Sequence, residues 1–347
     1  YANLYNASDI DYYKFTVDKP GSMKLFIENN YAKTYAGWNF TLFDAGGKEY
    51  YSKMVRAINA ETITSDEYWI PAGTYYIKVS ASDDIDPTNY SIMAQVTFSE
   101  AAQIKAFVAG LYEVALDRTP DEAGLNDWSN RLQTGEAAAV NVVQGVLCSD
   151  EYKNKGKSNG EIVTDCYNAM LARDPDEGGY NDWVTRLDGG MSVNAIFAGF
   201  VGSEEFGNLC ASYGINPGTY ELTEARDMNT GITMFVSRLY TQALGRSFDA
   251  NGLNDWCGQI IANPSREIIL NISTNGFLNS QEFRNKGLDN TEYVKVLYRT
   301  YLGREYEESG LSDWVGQLDR GEKDRDAVAA GFAYSAEFSN IMASYGL

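Results

Sequence analysis

The stretch RTPDEAGLNDW, residues 118–128, decides the architecture of this chain because it returns three more times. The copies are RDPDEGGYNDW at 173–183, RSFDANGLNDW at 246–256 and REYEESGLSDW at 304–314. Each copy follows apolar residues at helical spacing and precedes a further helical pattern. A phrase repeated at this interval is typical of a helical repeat protein. We therefore predict four related helical units after about residue 101.

A second phrase closes every unit, and it groups the units in pairs. It reads GVLCSDEY at 145–152, GFVGSEEF at 199–206, GFLNSQEF at 276–283 and GFAYSAEF at 331–338. Its serine, with a glutamate at the third position counted from the serine, predicts an N-capped final helix. Units two and four both end in ASYG, and residues 214–230 read as a linker between the pairs.

The first hundred residues carry a β pattern instead. Apolar and polar residues alternate at 13–17, 23–27, 40–43 and 75–79, and the turn sequences DAGG and PAGT lie between these runs. We predict an N-terminal antiparallel β-sandwich followed by an all-α array of four repeat units in two pairs. The predicted domain limits are 1–98, 99–222 and 223–347.

Composition excludes several classes of function. The formal charge of −20 would repel phosphate backbones and anionic lipid, so we expect no nucleic-acid partner. With no run of 18 apolar residues, we expect no membrane insertion. The chain has no His, which excludes His-based catalytic triads and His-bound zinc. Because it begins abruptly at Tyr1, we expect a trimmed segment of something longer.

The four cysteines and the acidic turns are weak indicators of function. The cysteines form no C-x-x-C pair, so we expect free, buried thiols, although a pair between Cys148 and Cys166 stays open. Calcium is an alternative for the acidic turns of the repeats, for Asp9 and Asp11, and for residues 83–86. No turn has the complete calcium-loop pattern, so no cofactor is the expectation. Carboxylates recur with the repeat, which argues against a glycosidase and for a protein that is not an enzyme.

The recurring aromatic and charged residues are assigned to the scaffold. Four tryptophans at one position fit helix packing better than four sugar sites. In this interpretation each repeat arginine pairs with the aspartate just before the tryptophan. The expected pairs are Arg118 with Asp127, Arg173 with Asp182, Arg246 with Asp255, and Arg304 with Asp313.

Aromatic residues that occur only once are left as candidates for binding. Ile70 should face the core, so Trp69 points outward by alternation and needs a ligand or a neighbouring domain to cover it. Trp38 follows a tyrosine-rich loop, but it shares parity with Phe40 and Leu42, which leaves a core position open for it. Aromatic planes stack on sugar rings, while amide, amine and carboxylate groups bond the hydroxyls. The predicted ligand-binding residues are Trp38, Trp69, Tyr31, Tyr35, Lys33 and Asn39.

Two resemblances refine this prediction. The stretches DIDYYKFTV (9–17) and IPAGTYYIKV (70–79) resemble the bacterial pre-peptidase C-terminal domain family, which implies a secreted accessory sandwich. The repeats resemble a bacterial cell-surface family of unknown function that looks similar to phycobilisome-linker helical domains. The combination looks like starch-adherence proteins of gut-bacterial amylase assemblies.

The resemblances imply an extracellular, secreted or cell-surface protein that binds a polysaccharide or oligosaccharide. The predicted ligand is an α-glucan such as a maltooligosaccharide, bound without catalysis near the junction of sandwich and helices. The alternative is a structural or protein-interaction module of a bacterial surface, with other cell-surface proteins as partners and no glycan site.

Overall fold

A computed structural model of the chain describes residues 4, 8–29, 37–56, 62–82 and 90–346. The described part of the first hundred residues is antiparallel β structure, as the alternation predicts. The strands are β1 Ile10–Val17, β2 Gly21–Asn29, β3 Gly37–Asp44, β4 Glu49–Arg56, β5 Thr62–Thr64, β6 Tyr68–Ile70, β7 Gly73–Ala81 and β8 Tyr90–Thr97.

The strands form two sheets that enclose a shared core. One sheet has the order β1–β7–β3–β4. In the other, β2 pairs with β8 along nearly its whole length and with β5 and β6 on its second edge. Met23, Leu25 and Ile27 alternate along β2 and are fully buried, because every second side chain of a strand points to the same face. The predicted β-sandwich is confirmed in this arrangement.

The described residues after Ser99 form helices and turns, which confirms the predicted helical region. The helices are α1 Glu100–Leu116, α2 Glu122–Thr134, α3 Ala139–Leu147, α4 Asp150–Lys153, α5 Asn159–Leu171, α6 Glu177–Asp188, α7 Val193–Val201, α8 Glu204–Ser212, α9 Ala225–Met228, α10 Thr230–Arg238, α11 Ala250–Ala262, α12 Arg266–Asn271, α13 Gln281–Arg284, α14 Asn290–Leu297, α15 Glu308–Asp319, α16 Arg325–Ala333 and α17 Ala336–Ser344. In units three and four, π-helical segments also occur, at Leu239–Leu244, Ile272–Leu278 and Tyr298–Leu302.

The repeated phrases begin helices through side-chain caps. The serine of each closing phrase accepts a hydrogen bond of 3.1 Å from the backbone N–H three residues on, as the sequence predicts. In the first three units, the aspartate of the acidic turn caps the helix that carries the tryptophan. The acidic turns of these three units therefore act as N-caps of the following helices. The capping serines are Ser149, Ser203, Ser280 and Ser335.

The repeat arginines do not pair with the predicted aspartates. Arg118 instead makes two hydrogen bonds, of 2.7 and 2.8 Å, with the carboxylate of Glu151 in the closing phrase. The reason is geometric: Asp127 lies one turn before Arg131 on the same helix and faces that residue. The corrected pairs are Arg118–Glu151, Arg173–Glu205, Arg246–Glu282 and Arg304–Glu337.

Each of these arginines also lies over a tyrosine ring of the preceding helix. The guanidinium carbon of Arg118 is 5.1 Å from the ring centroid of Tyr112, a cation–π distance. The other units repeat this contact at 5.0 to 5.2 Å. We call this set of tyrosine, arginine and glutamate the clamp of a repeat. It links the preceding helix of a unit to its closing phrase in all four units.

The repeat tryptophans pack against a glycine of the closing phrase, in line with a scaffold role. A Cβ atom on this glycine would meet the indole at a distance that real contacts rarely show. In units one, two and four, where this distance is below 3.0 Å, a side chain would force the ring or the helix to move, whereas in unit three the approach is less close. The distances are 2.6 Å for Gly145 and Trp128, 2.9 Å for Gly199 and Trp183, 3.2 Å for Gly276 and Trp256, and 2.6 Å for Gly331 and Trp314.

The chain forms two compact units. The first comprises Tyr1–Gly156, Asp165–Asp174 and Phe200–Thr219, and the second comprises Lys157–Thr164, Pro175–Gly199 and Tyr220–Leu347. The β region and the first repeat thus belong to one unit, while the second repeat contributes to both. The domain limits predicted from sequence stay a prediction.

Two further observations concern the described residues. All four cysteines are free thiols, and three of them are buried. None of the described helices combines the length and the apolar character needed to cross a bilayer.

Candidate functional site

The first compact unit contains a cleft of about 430 Å³ where the β region meets helices. Strand β6, the turn between β3 and β4, and the helices α1, α5 and α8 supply its walls. We call it the Trp69 cleft. Its lining residues are Asp44, Lys48, Tyr50, Trp69, Pro71, Ala106, Phe107, Gly110, Leu111, Glu113, Val114, Asp117, Asp165, Asn168, Ala169, Ala172, Leu209 and Tyr213.

Trp69 reaches the cleft because of strand alternation. Its neighbour Ile70 is fully buried in the sandwich core, so Trp69 points to the opposite side of β6 and is half-buried. The ammonium of Lys105 on α1 lies 5.2 Å from the centroid of the indole ring. Trp69 therefore packs near the first helix and also lines the cleft. The neighbouring helix thus contributes to covering Trp69, while ligand binding by this residue stays a prediction.

A charged pair joins the β3–β4 turn to α1 at the cleft wall. Lys48 forms a salt bridge with Glu113 and lies 4.6 Å from the ring centroid of Tyr50. Asp44 accepts hydrogen bonds from the backbone N–H groups of Gly46 and Lys48, at 2.9 and 3.0 Å. The side chain of Asp44 thus shapes the turn and fixes the polar edge of the cleft.

The tyrosines of the cleft are held in the neutral form. Burial raises the pKa of Tyr213 to about 12. The pKa of Tyr50 also lies well above its ordinary value, first because the ring is buried and second because Tyr75 and Asp44 are close. The Tyr50 hydroxyl lies 3.4 Å from Oδ2 of Asp44. A phenol of ordinary pKa is already neutral at physiological pH, and the raised pKa values extend this neutral, hydrogen-bonding form to more alkaline conditions.

Two residues of the cleft have left-handed backbone conformations without being glycine. Asp117 ends α1 with φ of 55°, and Ala172 follows α5 with φ of 53°. The equivalent positions in units three and four are Gly245 and Gly303, which adopt this conformation at little cost. The first two units thus carry backbone strain at the cleft that the last two avoid.

Replacing Ala172 with glycine is expected to stabilise the protein by about 0.5 to 1 kcal/mol, since the relief of left-handed strain exceeds the added entropy of the unfolded chain. The control is Ala169→Gly, which makes the same chemical change inside α5 and should destabilise by at least about 1 kcal/mol. Urea denaturation followed by circular dichroism measures both. Equal losses in the two variants would contradict the strain at position 172.

Of the other predicted binding residues, the structure describes Trp38 and Asn39, and neither lines the Trp69 cleft. Trp38 is only 4% exposed and belongs to the sandwich core, where its ring lies 6.3 Å from that of Tyr90. The prediction that Trp38 and Trp69 bind the ligand together is therefore corrected. Trp38 shares parity with Phe40 and Leu42 along β3 and faces the core as they do. Asn39 is half-buried on the opposite face of β3, and its amide donates to the carbonyl of Ala81 at 3.2 Å. Tyr31, Lys33 and Tyr35 lie outside the described residues.

Several cleft residues have no signal in the sequence that would select them. Tyr50 and Lys48 belong to an ordinary hairpin, and Phe107 fits the helical pattern of α1. Tyr213 is part of the ASYG phrase that recurs at 343–346, so a search restricted to unrepeated residues does not select it. Among the described residues, no group of three or more Cys, Asp or Glu side chains is arranged to hold a metal ion.

Comparison with known proteins identifies the repeats. A family model described as "Domain of unknown function (DUF4214)" matches residues 90–156, 143–210, 220–276 and 274–342. Because these matches cover more than half of the chain, the chain belongs to this family. They correspond to the four units that the repeated phrases define. No curated protein matches the sequence.

Proposed function

We propose that this four-repeat member of the family is a non-catalytic, extracellular carbohydrate-binding protein whose site is the Trp69 cleft. The proposed ligand is an α-glucan such as a maltooligosaccharide. The observation that carries the proposal is the position of Trp69, a half-buried indole on the wall of a cleft that also has polar groups. Ligand sites commonly combine aromatic walls with a few placed polar groups.

The chemistry of the lining suits a neutral sugar. Trp69 and Tyr50 offer aromatic surface, on which the apolar face of a pyranose ring can stack. Two lining oxygens can accept from hydroxyl groups: Oδ2 of Asp44, since Oδ1 takes the backbone hydrogen bonds of the turn, and the amide oxygen of Asn168, whose nitrogen donates to Asp174 at 3.2 Å. The volume of about 430 Å³ lies in the range of small-ligand sites. A net charge of −20 disfavours an anionic ligand but has no such effect on a neutral one.

Binding fits the carboxylates of the cleft better than hydrolysis does. Glu113 pairs with Lys48, Asp117 pairs with Lys155 at 2.7 Å, and Asp165 accepts a hydrogen bond of 2.6 Å from Tyr152. A glycosidase needs one carboxylic acid held protonated beside the bond that breaks, with a second carboxylate across from it. Carboxylates already engaged with lysine and tyrosine are poor candidates for that pair.

The resemblances drawn from sequence agree with this proposal. A sandwich similar to the pre-peptidase C-terminal family, joined to surface-protein repeats, supports a secreted or cell-surface location. The likeness to starch-adherence proteins of gut-bacterial amylase assemblies supports starch as the polymer. We propose that the protein holds α-glucan at the cell surface for enzymes that other proteins supply.

The test is a pull-down on insoluble starch together with titrations against maltoheptaose, cellohexaose and xylohexaose. We expect the protein to bind starch, and we expect its tryptophan fluorescence to change with maltoheptaose alone. No reducing sugar should be released during incubation. Failure to respond to any of the three sugars, with no retention on starch, would exclude the proposed function and favour a structural module.

A further inference from the structure

Outside the cleft, the outer face of the β1–β7–β3–β4 sheet carries a group of three aromatic rings. Tyr12, Phe43 and Tyr76 come from three different strands, and we call them the aromatic platform. Phe43 and Tyr76 are register partners whose rings are nearly parallel, with centroids 5.6 Å apart. Tyr12 meets Phe43 edge to face at 6.4 Å. The rings border a shallow depression of about 460 Å³.

These rings do not serve the sandwich core. The core side of the same strands is filled by Leu42 and Ile77, whose buried side chains alternate with the platform residues. Tyr12 is 59% exposed, although single exposed apolar residues are common on protein surfaces. Phe43 and Tyr76 lie half-buried beside Tyr12, so the three rings form one contiguous apolar group, and contiguous apolar groups are frequent at binding surfaces.

The platform depression lies beside the β3–β4 turn, which also borders the Trp69 cleft. Asp44 borders both, since the β3–β4 turn forms the edge of the cleft on one side and of the platform depression on the other. Two features fix the conformation of this turn. The Asp44 carboxylate accepts two backbone hydrogen bonds, and Gly47 adopts a positive φ of 87°, which favours glycine. A ligand that passes the turn would therefore leave one aromatic surface and meet the next.

We propose that the platform is a second carbohydrate-contacting surface, which receives the part of a polysaccharide that extends beyond the cleft. This inference rests on the proposed function. Its occupant is the neutral polymer itself, because the exposed Tyr12 ring, backed by the half-buried Phe43 and Tyr76, offers apolar surface to a sugar ring, while Lys14, 5.9 Å from the Tyr76 ring centroid, supplies a donor for hydroxyl groups. Two joined sites on one polymer raise its apparent affinity through effective concentration. Long chains thus bind more tightly than short ones.

The test compares a short and a long ligand in the double variant Tyr12→Ala/Tyr76→Ala of the full chain. We expect affinity for amylopectin to fall about tenfold, while affinity for maltotriose stays within about twofold of the unchanged protein. Met54→Ala is the matched control, because Met54 is 45% exposed on the outer side of β4 in the same sheet. Isothermal calorimetry measures both ligands, and depletion on insoluble starch gives a second measurement for the polymer. The single variant Tyr12→Ala repeats the test with the most exposed ring.

Other outcomes would overturn the inference in recognisable ways. Unchanged amylopectin binding by a folded double variant excludes the platform but leaves the cleft proposal intact. A double variant that converts a dimer to a monomer in sedimentation, with glycan binding unaltered, assigns the platform to a second copy of the chain. If the unchanged protein binds neither maltotriose nor amylopectin, the proposed function fails first and the platform inference fails with it.

Discussion

Gly331→Ala is expected to lower the free energy of unfolding by about 2 kcal/mol, whereas Gly276→Ala should leave it nearly unchanged. Both glycines face the tryptophan of their own repeat, and both belong to the second compact unit. A Cβ atom at position 331 would lie 2.6 Å from the Trp314 ring, but at position 276 it would lie 3.2 Å from Trp256. The first distance forces the ring or the helix to move.

The expected difference comes from two opposing effects. Alanine favours a helix over glycine by about 1 kcal/mol, and this gain applies in both variants. Overpacking a close contact costs about 1 to 3 kcal/mol. The 2.6 Å approach puts Gly331→Ala near the upper end of this range, whereas the 3.2 Å approach puts Gly276→Ala near the lower end, where the gain in helix propensity offsets the cost. Denaturation midpoints from far-ultraviolet circular dichroism give the comparison. A Gly331→Ala protein as stable as Gly276→Ala would show that the indole is not held in place.

Trp69→Ala is expected to weaken binding of maltoheptaose by at least about tenfold and to remove most of the fluorescence change on binding. The indole is the largest aromatic surface of the cleft, and its loss removes stacking without touching the core, since Ile70 is the residue that β6 buries. Trp69→Phe keeps a smaller ring and should keep an intermediate affinity. Calorimetry provides the affinities.

The control for this variant is Tyr334→Ala, which removes a 51% exposed aromatic ring from the second compact unit. It should bind maltoheptaose as the unchanged protein does. Full affinity in a folded Trp69→Ala protein would remove Trp69 from the site. Equal losses in Tyr334→Ala and Trp69→Ala would point to a general effect of the substitutions rather than to a stacking contact.

Local spacing made much of the architecture predictable. The alternation along β2, the capping Ser149 and the repeated Trp128 follow from periods and caps that lie within a few residues of each other. The partner of Arg118 could not be predicted in this way. Spacing shows that Arg118 and Asp127 recur together, but the direction in which Asp127 points depends on how two helices meet in space. The closing-phrase residue Glu151 is 33 positions away from Arg118 in the chain.

The cleft was only partly predictable for the same reason. Trp69 could be selected because its neighbour Ile70 fixes the face of a short strand. Trp38 is also unrepeated, which favours a binding role, yet its parity with Phe40 places it in the core. Tyr50 was missed since nothing near it in sequence shows that the β3–β4 hairpin meets α1. A wall assembled from a hairpin, a strand and three helices leaves no continuous pattern along the chain.

The clamps also bear on the order in which the molecule folds. Their arginine–glutamate contacts close loops of 33, 32, 36 and 33 residues, each within a single repeat. The sandwich instead needs a partner far along the chain, as in the hydrogen bond from Tyr90 to Asp11, which spans 79 residues. Short loops close at a smaller entropic cost than long ones. We therefore expect the contacts within each helical repeat to form early and separately during folding, whereas the two sheets can complete their pairing only after strand β8 is available.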